Sequence, residues 1–321
     1  MDPVSSTSNS KILRYAGFAI AFLFSVFVFD RISYTLFFPQ YDKMFSMYKN
    51  FKPSEVLIVG SSHILWDLDP VVLTKESGKP VTLLNIPGAN LTLRKEIVKE
   101  YFRKNQNQKP SLLVLETDKF VFHKERYPDS AYKSVKGYYH KGLFVDFLDR
   151  KVPKESVLEY WTFRISHSYS LNSFSHFIFS KLYDKYLSSI FVWKLNASEK
   201  ENEEKIRNWK NQYEHLSPQI EKDLVQELYE ILKFAGDNGV KVVLLETPNY
   251  FFSEEENRKY DSVRKELMRI AEDSGSVYLR LDPGLFETKL EFFFDASHLN
   301  LSGKAAYTDF FQKELRKKSL L

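Results

Sequence analysis

Two short stretches of the sequence hold residue types that can carry out acyl chemistry. The first is "GSSH", from Gly60 to His63, directly after the apolar run "VLIV". The second is "DASH", from Asp295 to His298, near the C-terminus. A carboxylate three residues before a histidine can accept a hydrogen bond from the imidazole Nδ1 and leave Nε2 as a general base. Because a serine hydroxyl becomes a strong nucleophile only when such a base takes its proton, the two stretches together indicate a serine nucleophile.

The elements that must position these residues alternate along the chain. Five apolar runs predict strands, and amphipathic helices separate them; the runs are "EVLIVGSS", "VTLLNIPG", "SLLVLETD", "VKVVLLETPNY" and "VYLRLDPG". Continuous apolar runs are typical of strands buried on both faces, so the fold class predicted is α/β, with a five-stranded parallel sheet between two helical layers. Such sheets bind ligands at the carboxyl ends of their strands, where "GSSH" lies. A serine at this strand-to-helix turn can attack a carbonyl, and its backbone N–H can help to bind the oxyanion.

These motifs resemble those of the SGNH, or GDSL-type, hydrolases. The first block of that family is a strand ending in Gly-Asp-Ser, and its last block is Asp-x-x-His followed by a polar residue and a glycine. The resemblance implies that Ser62 is the nucleophile, that His298 is the base and that Asp295 orients it. The second block supplies a glycine N–H to the oxyanion hole, and "LLNIPGAN" is similar to it, with Gly88 in that place.

The third block departs from the family pattern. The family supplies an Asn there, usually in Gly-x-Asn-Asp, whereas this third strand ends in "LETDKF" with Thr117 and Asp118. An ionised Asp118 aimed at an oxyanion would oppose it, so we expect this carboxylate to point elsewhere. Asn90, Thr117 or a backbone N–H remains to complete a hole formed by the N–H groups of Ser62 and Gly88. The resemblance covers 55–118 and 219–318.

Structural interpretations of the same residues stay open at this stage. The two serines are also typical of a turn after a strand, and an Asp–His pair at this spacing is also typical of a helix-capping network. A non-catalytic scaffold or glycan-binding protein of the same fold is therefore the alternative to an enzyme.

The N-terminal segment predicts a membrane anchor. Fifteen residues without a charge, Tyr15–Phe29, follow Lys11 and Arg14. The basic flank on this side predicts that the N-terminus lies in the cytoplasm. No small-x-small cleavage site follows the apolar run, which favours an uncleaved single-pass anchor. A cleaved signal peptide and a buried soluble helix are the alternatives.

After the tip and anchor at 1–38, the remaining chain divides into two predicted segments. The segment 39–54 shows no clear hydrophobic period and is predicted to be a linker. The segment 55–321 is predicted to form the α/β domain. Within it, 119–217 interrupts the alternation and predicts a mostly helical insertion that acts as a lid over the strand ends.

Composition excludes several classes of function. The chain has 321 residues, a net charge of +4 and no cysteine. The charge is too small and too evenly spread to predict nucleic-acid binding. The absence of cysteine excludes disulfides and thiolate chemistry. The histidines lack ligand-like spacing, so we expect neither a metal nor a cofactor.

The Gly-Ser-Ser variant behind an anchor is similar to the anchored envelope proteins of this superfamily, namely the teichoic-acid D-alanylation and alginate O-acetylation proteins. This likeness implies an esterase or O-acyltransferase at the inner (cytoplasmic) membrane, with its α/β domain on the periplasmic or extracellular side. The implied partners are the membrane, an envelope polysaccharide or lipid substrate, and a membrane-bound acyltransferase.

Overall fold

The computed structural model describes residues 7–45, 47–126, 129–171, 199–213, 216–251 and 253–321. The described residues fall into two compact units. The first combines residues within Met1–Met44 and Lys136–Phe179, and the second combines residues within Phe45–Val135 and Ser180–Leu321.

The second unit is built on a five-stranded parallel sheet with the strand order β2-β1-β3-β4-β5. The strands are β1 (Val56–Gly60), β2 (Val81–Asn85), β3 (Leu112–Thr117), β4 (Lys241–Glu246) and β5 (Val277–Arg280). A small antiparallel ribbon follows, formed by β6 (Phe293–Asp295) and β7 (His298–Leu299). The predicted strands and their parallel order are confirmed.

The helices of the chain are numbered in chain order. They are α1 (Thr7–Phe45), α2 (Met47–Asn50), α3 (Ser62–Asp67), α4 (Pro70–Ser77), α5 (Leu91–Lys104), α6 (Val145–Glu155), α7 (Val157–Ile165), α8 (His167–Ser170), α9 (Glu199–Tyr213), α10 (Lys222–Asp237), α11 (Glu254–Arg258), α12 (Asp261–Ser274), α13 (Pro283–Phe286) and α14 (Leu301–Lys317). Two 3₁₀ helices, Asp129–Lys141 and Leu290–Phe292, complete the described elements.

Helices cover both faces of the sheet, which confirms the three-layer α/β/α fold. Alternate side chains of the strands, such as Ile58, Val114 and Val243, form one apolar core with α3, α4 and α14. On the other face α5 and α10 pack on each other and against β1 and β4. Because successive strand residues point to opposite faces, both sets of side chains are buried, and the strands therefore read as continuous apolar runs.

The first unit joins the N-terminal helix to α6, α7 and α8. Helix α1 is exposed along its apolar first half, while Tyr34, Phe38 and Tyr41 are buried further along it. The hydroxyl of Tyr34 donates to the carbonyl of Gly137 at 2.8 Å. Among the described residues, one helical stretch, Lys11–Lys43, is long and apolar enough to cross a membrane.

The segment 39–54 differs from the predicted linker. Residues up to Phe45 continue α1 through Pro39, and Met47–Asn50 form α2. Buried Tyr41 and Asp42 extend the inward face begun by Tyr34 and Phe38, so tertiary packing sustains a helix where the sequence shows no clear period.

The described part of 119–217 is mostly helical, as predicted. It does not form one body, however, because Lys136 to Leu171 belong to the first unit and α9 belongs to the second, where it packs on β6. The apolar positions from Phe174 to Tyr186 that contributed to the helical prediction lie outside the described residues. The lid role of this insertion stays a prediction.

Candidate active site

The structure brings Ser62, His298 and Asp295 together in one chain of hydrogen bonds. The Oγ of Ser62 lies 3.0 Å from Nε2 of His298. The Nδ1 of His298 lies 2.9 Å from both carboxylate oxygens of Asp295. Both the Asp295 and the His298 side chains are 17% exposed, so the pair is shielded but reachable from solvent. This geometry is the one that proton transfer from a serine to an oriented imidazole requires.

A tight turn between β6 and β7 sets the spacing of Asp295 and His298. Oδ1 of Asp295 accepts hydrogen bonds from the backbone N–H groups of Ser297, at 2.9 Å, and of His298, at 3.0 Å. Burial opposes ionisation of Asp295, but the His298 ring and these two N–H groups outweigh it and lower the pKa of Asp295 below its ordinary value. The carboxylate is therefore ionised at neutral pH and can hold the Nδ1–H tautomer of His298.

The serine turn joins β1 to the short helix α3. Ser61 is the N-cap of α3, and its hydroxyl accepts from the N–H of His63 at 3.3 Å. Ser62 is the first helical residue and is half-buried, whereas Ser61 and His63 are buried. Of the three polar side chains in this turn, the half-buried Ser62 is thus the one placed for a substrate.

A buried carboxylate, Glu116, holds this turn from the neighbouring strand β3. It accepts hydrogen bonds from the N–H of Ser61 at 2.5 Å, the hydroxyl of Ser61 at 2.8 Å and the N–H of Ile64 at 3.3 Å. A Cβ at Gly60 would overlap the Glu116 side chain, so the glycine of "GSSH" is required by this close approach. The turn that presents Ser62 is therefore fastened on both sides of the serine.

Arg94 of α5 completes the support of Glu116. Its guanidinium donates to the Glu116 carboxylate at 3.3 Å, to the Glu116 carbonyl at 2.6 Å and to the carbonyl of Ala89 at 2.9 Å. Both side chains are fully buried, so each charge compensates the other away from solvent. The sequence analysis assigned no role to Glu116 or Arg94. The available signal was an acidic residue in the otherwise apolar strand "SLLVLET", since such a residue needs a buried partner.

The side chain of His63 is buried, and its ring contacts the ring of the candidate base, His298. Its ring meets the ring of His298 edge-on, with centroids 5.0 Å apart. Its Nδ1 is 3.5 Å from Oδ2 of Asp118 and 3.7 Å from Oε1 of Glu116. Burial, assisted by the positive charges around it, lowers the pKa of His63 well below its ordinary value, so the ring is neutral. His63 is therefore a buried partner of the site and not a second base.

The candidate oxyanion donors occupy the adjoining strand ends. Gly88 follows β2, whose Asn85 pairs with Gly60, and it has a φ of 71°, a conformation that favours glycine. No described residue accepts a hydrogen bond from the N–H of Gly88 or of Ser62. The side-chain oxygen of Asn90, which was predicted near the hole, caps α5 by accepting from the N–H of Leu93 at 2.9 Å.

The end of β3 carries Thr117 and Asp118 where the sequence resemblance would place an Asn. Asp118 accepts from the N–H of Phe120 at 2.9 Å, and its carboxylate lies 3.5 Å from Nδ1 of His63. The side chain of Thr117 is buried, and its Oγ1 has no hydrogen-bond partner among the described residues. The backbone N–H groups of Gly88 and Ser62 and the hydroxyl of Thr117 therefore remain the candidates for the oxyanion hole.

Three contacts connect α3 and the start of α4 to the histidine-bearing end of the chain. Nζ of Lys304 in α14 donates to the carbonyl of Leu65 at 2.7 Å. The N–H of Asp69 donates to the hydroxyl of Thr308 at 3.0 Å. The Trp66 ring stacks on the ring of Phe294, the residue before Asp295, with centroids 6.4 Å apart. These contacts and the apolar core between α3 and α14 hold Ser62 and His298 close together although they are distant in sequence.

Among the described residues, no group of three or more histidine, aspartate or glutamate side chains is placed to hold a metal ion.

Comparisons with known proteins give structural likeness without sequence likeness. No protein-family model and no curated protein sequence matches the chain. The structure is similar to TesA, with 12% identity, a TM-score of 0.42, and coverage of 83% of this chain and 99% of that one. It is also similar to the acetylxylan esterase Axe2 from Geobacillus stearothermophilus, with 11% identity, a TM-score of 0.37, and coverage of 82% and 94%. A GDSL-like lipase from Bacteroides thetaiotaomicron matches with 10% identity, a TM-score of 0.39, and coverage of 89% and 98%.

Proposed function

We propose that the protein is a membrane-anchored, serine-dependent esterase or O-acyltransferase that acts on acyl esters of a cell-envelope glycan or lipid. One observation carries the chemical part of this proposal. A serine hydroxyl, an imidazole and an ionised carboxylate are connected in sequence, at 3.0 Å and 2.9 Å, in a partly exposed site at the carboxyl end of the sheet.

In the first half of the proposed reaction, Oγ of Ser62 attacks the carbonyl carbon of an ester while Nε2 of His298 takes the hydroxyl proton. Asp295 stabilises the imidazolium that forms. The N–H groups of Ser62 and Gly88 bind the oxyanion of the tetrahedral intermediate. Collapse of the intermediate breaks the bond to the leaving alcohol, which receives the proton from His298, and leaves the acyl group on Ser62.

In the second half the acyl group leaves Ser62. Either water or an acceptor hydroxyl gives its proton to His298 and attacks the acyl carbonyl, and the proton returns to Ser62. Water yields a hydrolase and a sugar or lipid hydroxyl yields a transferase. The triad supports both outcomes, so the acceptor decides between them.

The membrane part of the proposal is supported by α1. Its exposed apolar half and its basic N-terminal flank, with Lys11 and Arg14, favour a single-pass anchor with the N-terminus in the cytoplasm. The α/β domain then works on the periplasmic or extracellular side, beside a membrane-bound acyltransferase that delivers or receives acyl groups. A reporter fused after Leu321 should be active on that side only, and activity in the cytoplasm would contradict this topology.

The chemical proposal is tested with the purified full chain and a chromogenic acetyl ester. We expect release of the chromophore that requires both Ser62 and His298. Adding an oligosaccharide acceptor distinguishes transfer from hydrolysis. An acetylated acceptor, detected by mass spectrometry, indicates transfer, and free acetate alone indicates hydrolysis. If neither product exceeds that of the Ser62→Ala variant, the non-catalytic scaffold is favoured instead.

A further inference from the structure

Helix α7 carries an apolar face that the first unit leaves exposed. Its members lie within one side of the helix and are Val157, Leu158, Trp161 and Ile165, with exposed fractions of 62%, 79%, 53% and 69%. The opposite side is packed against the protein, since Phe163 is fully buried and Glu159 pairs with Lys136. An exposed, contiguous apolar face of this kind indicates a binding surface.

The exposure of α1 changes along its length in the same unit. Most apolar side chains from Ile12 to Phe29 are exposed. Further along, Tyr34 and Phe38 are buried, whereas Ile32, Leu36 and Phe37 remain exposed. At about 1.5 Å per residue, the stretch Lys11–Lys43 exceeds the roughly 30 Å of a bilayer's hydrocarbon core. The second half of α1 therefore packs against the protein on one side and keeps exposed apolar side chains on another.

The C-terminal end of α7 is fixed where this change begins. The carboxylate of Asp30 accepts from the hydroxyl of Ser166 at 2.6 Å and from the N–H groups of His167 at 2.9 Å and Ser168 at 3.0 Å. The neighbouring Arg31 donates to the carbonyl of Ile165 at 3.4 Å. These contacts place the C-terminal end of α7 beside the part of α1 where packing against the protein begins.

From these contacts we propose that α7 lies in the headgroup region of the membrane that α1 crosses and inserts Leu158, Trp161 and Ile165 among the lipids. The inference rests on the membrane anchoring proposed above. Continuity with the exposed apolar surface of α1 favours lipid over a protein partner as the occupant. Asp30 fits this depth because donors already satisfy its charge, as a poorly hydrated region requires.

The polar edge of α7 suits the same location. The guanidinium of Arg164 lies over the rings of Tyr160, at 5.0 Å, and of Trp161, at 5.6 Å. Arginine stems and amphipathic aromatic rings concentrate at the membrane–water boundary, where the stem is covered and the charged head reaches water. An amphipathic helix with this composition is typical of in-plane interfacial binding.

The chain contains no cysteine, so single cysteines can carry a nitroxide label without a background. We would place the label at Leu158 or Ile165 in the full chain, reconstituted into phosphatidylcholine–phosphatidylglycerol nanodiscs. Phe22 on α1 serves as the lipid reference, and the exposed Lys313 on α14 serves as the water reference. The measurement is the accessibility of each label to oxygen relative to a water-soluble nickel chelate.

The inference predicts oxygen-to-nickel ratios at Leu158 and Ile165 that lie well above that of Lys313 and toward that of Phe22. If Phe22 is in lipid while Leu158 and Ile165 match Lys313, the interfacial role of α7 is wrong and a protein partner becomes the better occupant. If Phe22 itself matches Lys313, the anchor is wrong and the inference falls with it. The two failures are therefore distinguishable in one data set.

Discussion

Glu116 and Ser61 lie on adjacent strand ends and are joined twice, through the Ser61 N–H at 2.5 Å and the Ser61 hydroxyl at 2.8 Å. The same carboxylate reaches the N–H of Ile64, so one buried side chain fixes the backbone before and after Ser62. The direction of the Ser62 hydroxyl, and of the N–H that would bind an oxyanion, therefore depends on a residue that does not touch the substrate.

Replacing Glu116 with glutamine should disturb this arrangement without removing any triad member. The amide keeps one acceptor and directs an NH2 group at donors, so we expect kcat/KM to fall about 10- to 100-fold through misplacement of Ser62. We also expect a loss of about 1–3 kcal/mol in the free energy of unfolding, because a buried charged acceptor is lost. Steady-state kinetics and thermal unfolding measure the two effects, and unchanged kinetics would refute the positioning role.

Gly60 and Gly236 form a matched pair of glycine-to-alanine tests. A Cβ at Gly60 meets Glu116, whereas a Cβ at Gly236, within α10, meets nothing within 4 Å. We expect Gly60→Ala to destabilise the protein by about 1–3 kcal/mol, as overpacking does, and to reduce activity. Gly236→Ala should be neutral or stabilising by up to about 1 kcal/mol. Equal unfolding temperatures for the two variants would contradict the close approach of Glu116 to the serine turn.

Asp295→Asn tests the orientation of the base. An amide at this position no longer enforces the Nδ1–H tautomer of His298, so kcat should fall by about 10³- to 10⁴-fold, in line with the known effect of such a change in a serine triad. Ser297→Ala is the control, since its hydroxyl contacts the same carboxylate only at 3.3 Å and should matter less than about tenfold. The contrast is read from initial rates of ester hydrolysis, and similar rates for both variants would remove Asp295 from the mechanism.

The buried His63 should make the protein acid-sensitive. Burial lowers the pKa of His63 well below its ordinary 6.5, whereas the unfolded chain restores that value. Below pH 6.5 the unfolded state therefore binds a proton that the folded state rejects, and stability falls as the pH falls. This one group contributes up to about 1.4 kcal/mol per pH unit. His63→Asn should flatten the fall in unfolding temperature between pH 7 and pH 5.5, and parallel curves for wild type and variant would show that His63 is not held neutral.

The sheet could be predicted from the sequence because a strand buried on both faces has a local pattern, an unbroken apolar run before a turn. The sequence also predicted that Ser62, Asp295 and His298 share a site, from the spacing of the Asp–His pair and from the resemblance of "GSSH" and "DASH" to the first and last blocks of the SGNH hydrolases. Glu116 was missed because its role comes from cross-strand contacts with Ser61 and Arg94, which no local pattern encodes. The continuation of α1 beyond residue 38 was missed for a similar reason. Its buried Tyr41 accepts a hydrogen bond from the N–H of the distant Gly137, and the sequence of this stretch shows no clear hydrophobic period.

Asn90 illustrates a different limit. Asparagine near a strand end suits both a donor to an oxyanion and a helix cap, and sequence does not distinguish them. In the structure the side-chain oxygen of Asn90 accepts a hydrogen bond from the N–H of Leu93 and so caps the start of α5. Any asparagine that precedes a helix can cap it. A role in the oxyanion hole also requires the side chain to point toward the site, and this orientation depends on tertiary structure.

The most direct test of the account is covalent labelling of the purified protein with a fluorophosphonate, which reacts with activated serines. The account predicts one adduct on the wild type, mapped by mass spectrometry to Ser62, no adduct on Ser62→Ala or on His298→Ala, and retained labelling of Ser61→Ala. It further predicts that Ser62→Ala lowers ester turnover on the order of a million-fold, as loss of a triad nucleophile does. Labelling of Ser62→Ala at the wild-type rate, or a folded wild type that no such probe modifies, would contradict a nucleophilic Ser62.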